Sequence, residues 1–165
     1  MTIQRRFGTL IEEAGAGGLQ PWEDEAASRL ALILVCDQFT RSMYRGTAQA
    51  FSLDGRALHL CHDGLERGFD RRLGFFQRTF FYLPLEHAEN GADQDLCVAC
   101  YQRLVEEAPS ELTEMARSFV HYADEHREIV RQFGRFPHRN KVLGREPTPE
   151  EEAFLSGGGA NFGQG

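Results

Sequence analysis

Long apolar runs are the first thing this sequence lacks. The longest, Leu30 to Cys36, has seven residues, where a membrane span needs about 18. The opening Met1-Thr2-Ile3-Gln4-Arg5-Arg6 has no apolar core of the kind an export signal carries, so secretion is not indicated. Cysteine is scarce too. Cys36, Cys61, Cys97 and Cys100 are too few to staple a chain of 165 residues, and they read as reduced thiols in the cytoplasm. Cys97-x-x-Cys100 has no second such pair and falls on an apolar helix face, so packing explains it better than zinc or redox chemistry. No segment alternates apolar and polar residues over a useful length, so no strand is expected. HExxH, P-loop, GxGxxG and GxSxG patterns are all missing.

What is present is ordinary globular material: 41% hydrophobic and 26% charged residues. A chain of this length forms one domain that buries roughly 70% of its unfolded surface. The net charge of −7 argues against nucleic acid as the main partner, because phosphate binding wants a basic face. The charge is unevenly spread. From Arg131 to Arg145 there are five basic residues and no acid, leaving 13 basic against 25 acidic residues elsewhere. Such an island can attract a small anion or an acidic surface, or it can pair with the chain's own carboxylates.

Apolar spacing predicts an all-α chain of six or seven helices joined mostly by short loops. Ile3, Phe7, Leu10 and Ile11 mark the first helix. A second opens at Pro21 with early acids and runs to about Tyr44. Phe51, Leu58 and Leu65 mark a third, ending at Gly68 and containing Gly55, which costs about 1 kcal/mol there unless it permits close packing. Phe75 to Leu83 is apolar on most sides, as in a buried helix, and Pro84 must kink or end it. Asp93 to Glu107 follow. A long helix then starts at Pro109-Ser110, with Gly134 as its C-terminal glycine. Thr148-Pro149-Glu150-Glu151 reads as N-cap, N1 proline and capping-box acid of a last short helix. Residues 1–156 form the expected domain, and 157–165 a loose Gly-rich tail.

The densest functional signal is Phe133-Gly134-Arg135-Phe136-Pro137-His138-Arg139-Asn140. With Asp37-Gln38-Phe39, Arg41, Arg45-Gly46, Leu83-Pro84-Leu85, His87, Glu89, Gln94, His126, Leu143-Gly144-Arg145 and Thr148-Pro149-Glu150-Glu151, it resembles the DUF924 family. The resemblance spans nearly the whole chain. It implies a TPR-like helical fold and no particular reaction, the family being of unknown function. Family members usually begin with roughly one more helix, so the family's first helix is expected to be missing here.

Each candidate group of residues leaves alternatives open. Asp37 and Arg41 lie on one helix face at i and i+4, either as a structural ion pair or, with Arg45, as a pocket wall. His87 and Glu89 suit acid–base chemistry, or capping and helix contacts. A continuous helix would set them about 200° apart, on opposite sides, whereas unwinding after Pro84 would let them act together. His126 lies inward on the long helix and reads as a hydrogen-bonded core histidine more readily than as a ligand. His59, His62 and Glu66 could hold an ion but read better as a solvated face. In the stretch from Phe133 to Asn140, Arg135, His138, Arg139 and Asn140 either receive an anion or clamp the fold. A short helix from Pro137 to Leu143 would add its amides to an anion site.

The first reading is a binding module for an anionic small molecule or acidic peptide. Arg135, His138, Arg139 and Asn140 receive it, and Asp37, Arg41, Arg45, His87 and Glu89 shape the pocket. The second is an enzyme with His87, Glu89 or His138 as its acid–base group, a metal-assisted hydrolase being one form of it. The third is an interaction protein whose motifs only clamp its fold. No metal ligand set or cofactor is expected, and no nucleic-acid or membrane partner.

Overall fold

The computed structural model describes residues 3–160 and 162. Among them the chain is all-helical, with seven helices and no strand. Helix α1 is Ile3–Gly15. Helix α2 runs without interruption over 26–43, as Ala26–Leu34, a π turn at Val35–Phe39, and Thr40–Met43. Then come α3 (Asp54–Glu66), α4 (Phe75–Glu86), α5 (Gly91–Glu107), α6 (Thr113–Phe133) and α7 (Pro149–Ser156). No described helix is long and apolar enough to cross a membrane.

Neighbouring helices run antiparallel, as short connections dictate. Thr79 meets Tyr101 while Glu86 meets Gln94, so α4 and α5 are opposed. Tyr101 packs on Phe119 while Asp95 reaches Arg127, so α5 and α6 are opposed too. Phe81, Tyr82, Leu85, Cys97, Tyr101 and Leu104 fill the space between them with Leu32 and Ile33 of α2. All four cysteines are buried free thiols, and burial raises each above the ordinary thiol range.

One close approach fixes how α3 meets α4. A Cβ on Gly64 would stand 2.5 Å from Cζ of Phe81 and 3.0 Å from Cδ of Arg29, so only glycine fits. Gly55, in contrast, borders open space and serves no close packing.

Several boundaries differ from the sequence reading. The second helix starts at Ala26 instead of Pro21, because Gln20–Glu23 form a separate 3-10 turn and Glu25 is extended. Phe51 belongs to another 3-10 turn, and α3 begins at Asp54. Pro84 does not end its helix at once, since α4 continues to Glu86. His87 caps α4 with its amide still bonded to Leu83, the chain leaves helical geometry from Ala88 to Asn90, and the Asn90 side chain accepts hydrogen bonds from the amides of Ala92 and Asp93 to start α5. The expected helix from Pro137 to Leu143 is a single 3-10 turn, Pro137–Arg139. Its Arg139 and Asn140 amides already bond Phe136 and Pro137 carbonyls, so it presents no open helix start. Other expectations hold in detail: Gly134 is left-handed at φ 70° behind α6, and Thr148 and Glu151 close a capping box on α7.

A smaller core lies beyond the end of α6. Ile129, Val130 and Phe136 gather Phe133, Phe154 and Phe162 around them. Part of the expected loose tail is therefore packed at Phe162. Residues 161 and 163–165 of that tail, and residues 1 and 2, lie outside the described residues.

Candidate functional site

The π turn in α2 sets the site. It carries Asp37 and adds a residue to the turn, loosening the regular ladder. Thr40 Oγ1 donates to the carbonyls of Cys36 (2.7 Å) and Asp37 (3.1 Å), and Arg41 Nη1 donates to that of Asp37 (2.9 Å). Asp37 and Arg41 are both buried and form the i,i+4 pair at 3.0 Å. Arg41 also grips Asp54 of α3 with both terminal nitrogens, at 2.8 and 2.9 Å.

His87 meets Asp37 from the loop after α4, Nδ1 to Oδ1 at 2.7 Å. Burial alone would raise the Asp37 carboxyl. The hydrogen-bonding His87, the Arg41 guanidinium and the Gln38 amide outweigh it and hold Asp37 down at about 2. His87 moves the other way: burial lowers it below the ordinary histidine range despite the pull of Asp37, so the ring is neutral at pH 7. Nδ1 carries the proton donated to Asp37, and Nε2 keeps its lone pair. The ring's one hydrogen bond among the described residues is this one through Nδ1, and His87 borders open space.

Asp37 and His87 stand in the wall of a cleft of about 410 Å³, together with Phe51, Asp54, Glu89 and Arg139. Arg139 is buried, its guanidinium between the rings of Phe51 (4.9 Å) and Phe136 (4.4 Å). Its Nη1 donates to the carbonyl of His87 at 3.0 Å, fixing the turn that presents the imidazole. The carboxylate of Asp54 is 3.8 Å away, beyond hydrogen-bond reach, and the buried Nε has no partner among the described residues. Burial and the nearby Arg41 push Arg139 down to about 10.

The other arginines of the motif are saturated. Arg135 grips Glu151 at 2.6 and 2.8 Å, and Asn140 Nδ2 donates to the same carboxylate at 3.0 Å. That carboxylate is fully buried, and the Arg135 hydrogen bonds above all hold it down at about 2. Arg145 grips Glu89 at 2.6 and 3.0 Å and donates to Asn140 Oδ1 at 2.9 Å. The amide of Phe136 gives Glu89 a third hydrogen bond at 2.8 Å. Burial would raise Glu89, but these donors hold it below the ordinary range. Glu89 thus borders the cleft as a neutralised strut.

His138 packs between Phe136 and Phe162 and borders a different cleft. Burial, then Arg139, pushes it down to about 4. Arg45 is exposed in the turn after α2, outside the residues that line the first cleft. His126 is buried and hydrogen-bonded through Nδ1 to the carbonyl of Tyr122 at 2.8 Å. His62, weighed as an ion ligand, instead meets Asp93 at 2.7 Å.

One participant, Asp54, was missed by sequence reasoning, and another, Glu86, stood in a candidate segment without a role. Asp54 supplies the second carboxylate to Arg41, and Glu86 lies buried beside His87 without a cation. For Asp54 no short-range spacing signals the contact. Glu86 offered a signal, since an acid next to a proline-bearing apolar helix end has few places to go.

Comparison with curated proteins found no match. A solved structure of a protein of unknown function from Agrobacterium tumefaciens is 39% identical, with a TM-score of 0.82 over 93% of this chain and 81% of that one. The family described as bacterial protein of unknown function, DUF924, matches residues 1–159. The chain belongs to the DUF924 family.

Proposed function

We propose that the chain is an enzyme acting on a small anionic molecule held in the 410 Å³ cleft. His87 is its acid–base group, Asp37 positions His87, and Arg139 takes the anionic end of the substrate. The 2.7 Å contact of His87 Nδ1 with Asp37 Oδ1, leaving Nε2 bare, carries this reading. A base held by an ionised carboxylate on its far nitrogen is the orientation proton transfer requires. Nε2 takes a proton from substrate or water, Asp37 stabilises the imidazolium, and the proton returns to the product. Such a step contributes about 10²–10⁴ in rate.

Arg139 supports the anionic preference. Among the motif arginines Arg135 and Arg145 each hold a carboxylate bidentately, whereas Arg139 has none within hydrogen-bond reach. The cleft volume lies in the ordinary range for small-molecule sites, which favours a metabolite over an acidic peptide. The antiparallel helix pairs are compatible with the TPR-like groove that the family resemblance implies, and four free thiols suit a cytoplasmic setting. A second reading, binding without turnover, rests on the same unsatisfied Arg139.

The test is incubation of a deproteinised cell extract with wild-type protein, His87→Gln and Arg139→Gln, followed by mass spectrometry of small anions. The expected result is an anionic metabolite consumed by the wild type, bound but not consumed by His87→Gln, and not retained by Arg139→Gln. Binding with no consumption by the wild type establishes the second reading. If no anion is bound or consumed, both readings fall.

A further inference from the structure

A second cleft, of about 540 Å³, opens beside Glu86 and is lined also by Tyr122, Glu125, His126 and Phe162. Glu86 is 7% exposed, borders the cleft, and has as its one ion-pair contact among the described residues the ring of His126. His126 Nδ1 is 3.8 Å from Glu86 Oε1, beyond hydrogen-bond reach, and its proton is already given to the carbonyl of Tyr122 at 2.8 Å. Burial pushes His126 down to about 3, so the ring is neutral and offers no counter-charge.

No other element supplies one. Asp37 and His87 lie on one side of Glu86, and Cys97 and Tyr101 on α5 are close enough to feel its charge. Tyr122, Glu125 and His126 face it from α6. None of these is a cation at pH 7, and no lysine or arginine lines the cleft among the described residues. Burial, then repulsion from Asp37, raises the Glu86 carboxyl to about 8. An acid held in this way contributes nothing to the fold that glutamine would not contribute at lower cost. Its charge becomes useful when something positive enters.

The remaining walls suit a cation. Phe162 stacks on His126 with centroids 3.7 Å apart and planes 17° apart, the Tyr122 ring is exposed, and Glu125 stands exposed beside it. Aromatic faces attract ammonium groups, and a desolvated carboxylate pairs with them.

We propose that this cleft binds a primary alkylammonium group, which pairs with ionised Glu86 beside the rings of Tyr122 and Phe162. His87 also lines this cleft, but the proposal does not rest on the His87–Arg139 reading, since its ligand has the opposite charge and pairs with Glu86. On binding, Glu86 gives its proton to solvent while the ammonium keeps its own.

Isothermal titration calorimetry of the full chain with 1,4-diaminobutane tests it, using two buffers of different ionisation heat and 1,4-butanediol as the uncharged control. The expected result is 1:1 binding of the diamine, with nearly one proton released per ligand at pH 7. Kd should tighten about tenfold from pH 6 to 7 and level off above about 8. Glu86→Gln should weaken binding at least tenfold and abolish the proton release. Tyr122→Ala, a change at an exposed ring, should weaken binding severalfold with the fold intact. No binding at millimolar diamine, equal binding of the diol, or unchanged affinity and proton release in Glu86→Gln would overturn the proposal.

Discussion

His87 and Asp37 are 50 residues apart in the chain and 2.7 Å apart in space, joined Nδ1 to Oδ1. The π turn of α2 and the non-helical turn after Glu86 bring them together. Each is a local departure from regular helix, and neither alone would make a site.

Asp37 makes stability depend on acid. Its folded carboxyl is held at about 2 against 3.8 ordinarily, and this is worth about 2 kcal/mol. The sign follows from the depression: the contribution is complete above about 4 and is lost as pH falls through 2. Denaturant unfolding at pH 7 and pH 3 should show a wild-type loss that is smaller by about 1 kcal/mol in Asp37→Asn, the remainder coming from Glu151 and Glu89, which are also held down.

Glu86 has the opposite sign. Its carboxyl is raised from 4.5 to about 8, so folding favours the protonated form and stability falls as pH rises through that window. Glu86→Gln should therefore unfold at higher denaturant than wild type at pH 8. At pH 5 the two should differ much less.

The clamp and the cleft separate by mutation. Glu151→Ala strands Arg135 and Asn140 beside a buried hole and should cost about 3 kcal/mol of stability. Arg135→Ala should act in the same direction, and the double mutant should cost less than the sum, because both remove one interaction. His87→Gln should leave the melting temperature within a few degrees of wild type while abolishing turnover. Calorimetry of the four proteins checks this.

Two glycines should respond oppositely to alanine. Gly64→Ala drives a methyl into Phe81 and Arg29 and should destabilise by about 1–3 kcal/mol. Gly55→Ala adds a methyl in open space in the first turn of α3 and should stabilise by about 0.5–1 kcal/mol. Melting curves of the two variants decide it.

Much of this was legible in the sequence because it is local. The i,i+4 spacing of Asp37 and Arg41, the Thr148–Glu151 capping box and the left-handed Gly134 each follow from helix geometry within a few residues. Periodicity also showed that the chain is all-α and that Cys97 and Cys100 point inward. What stayed hidden depends on long-range packing. A helical wheel set His87 and Glu89 on opposite faces, yet the helix ends at Glu86 and both border one cleft. Nothing in the order of residues indicates that Arg135 and Arg145 find Glu151 and Glu89 while Arg139 is left short of a carboxylate. That assignment decides which arginine can hold a ligand.

The most direct test of the central claim is a long-range ¹H–¹⁵N NMR spectrum of the histidine rings, recorded between pH 5 and 8. The expected His87 ring is neutral at pH 7, with Nδ1 protonated and Nε2 bare, and Asp37→Asn should disturb this tautomer preference. A His87 that is doubly protonated at pH 7, or that carries its proton on Nε2, would contradict it.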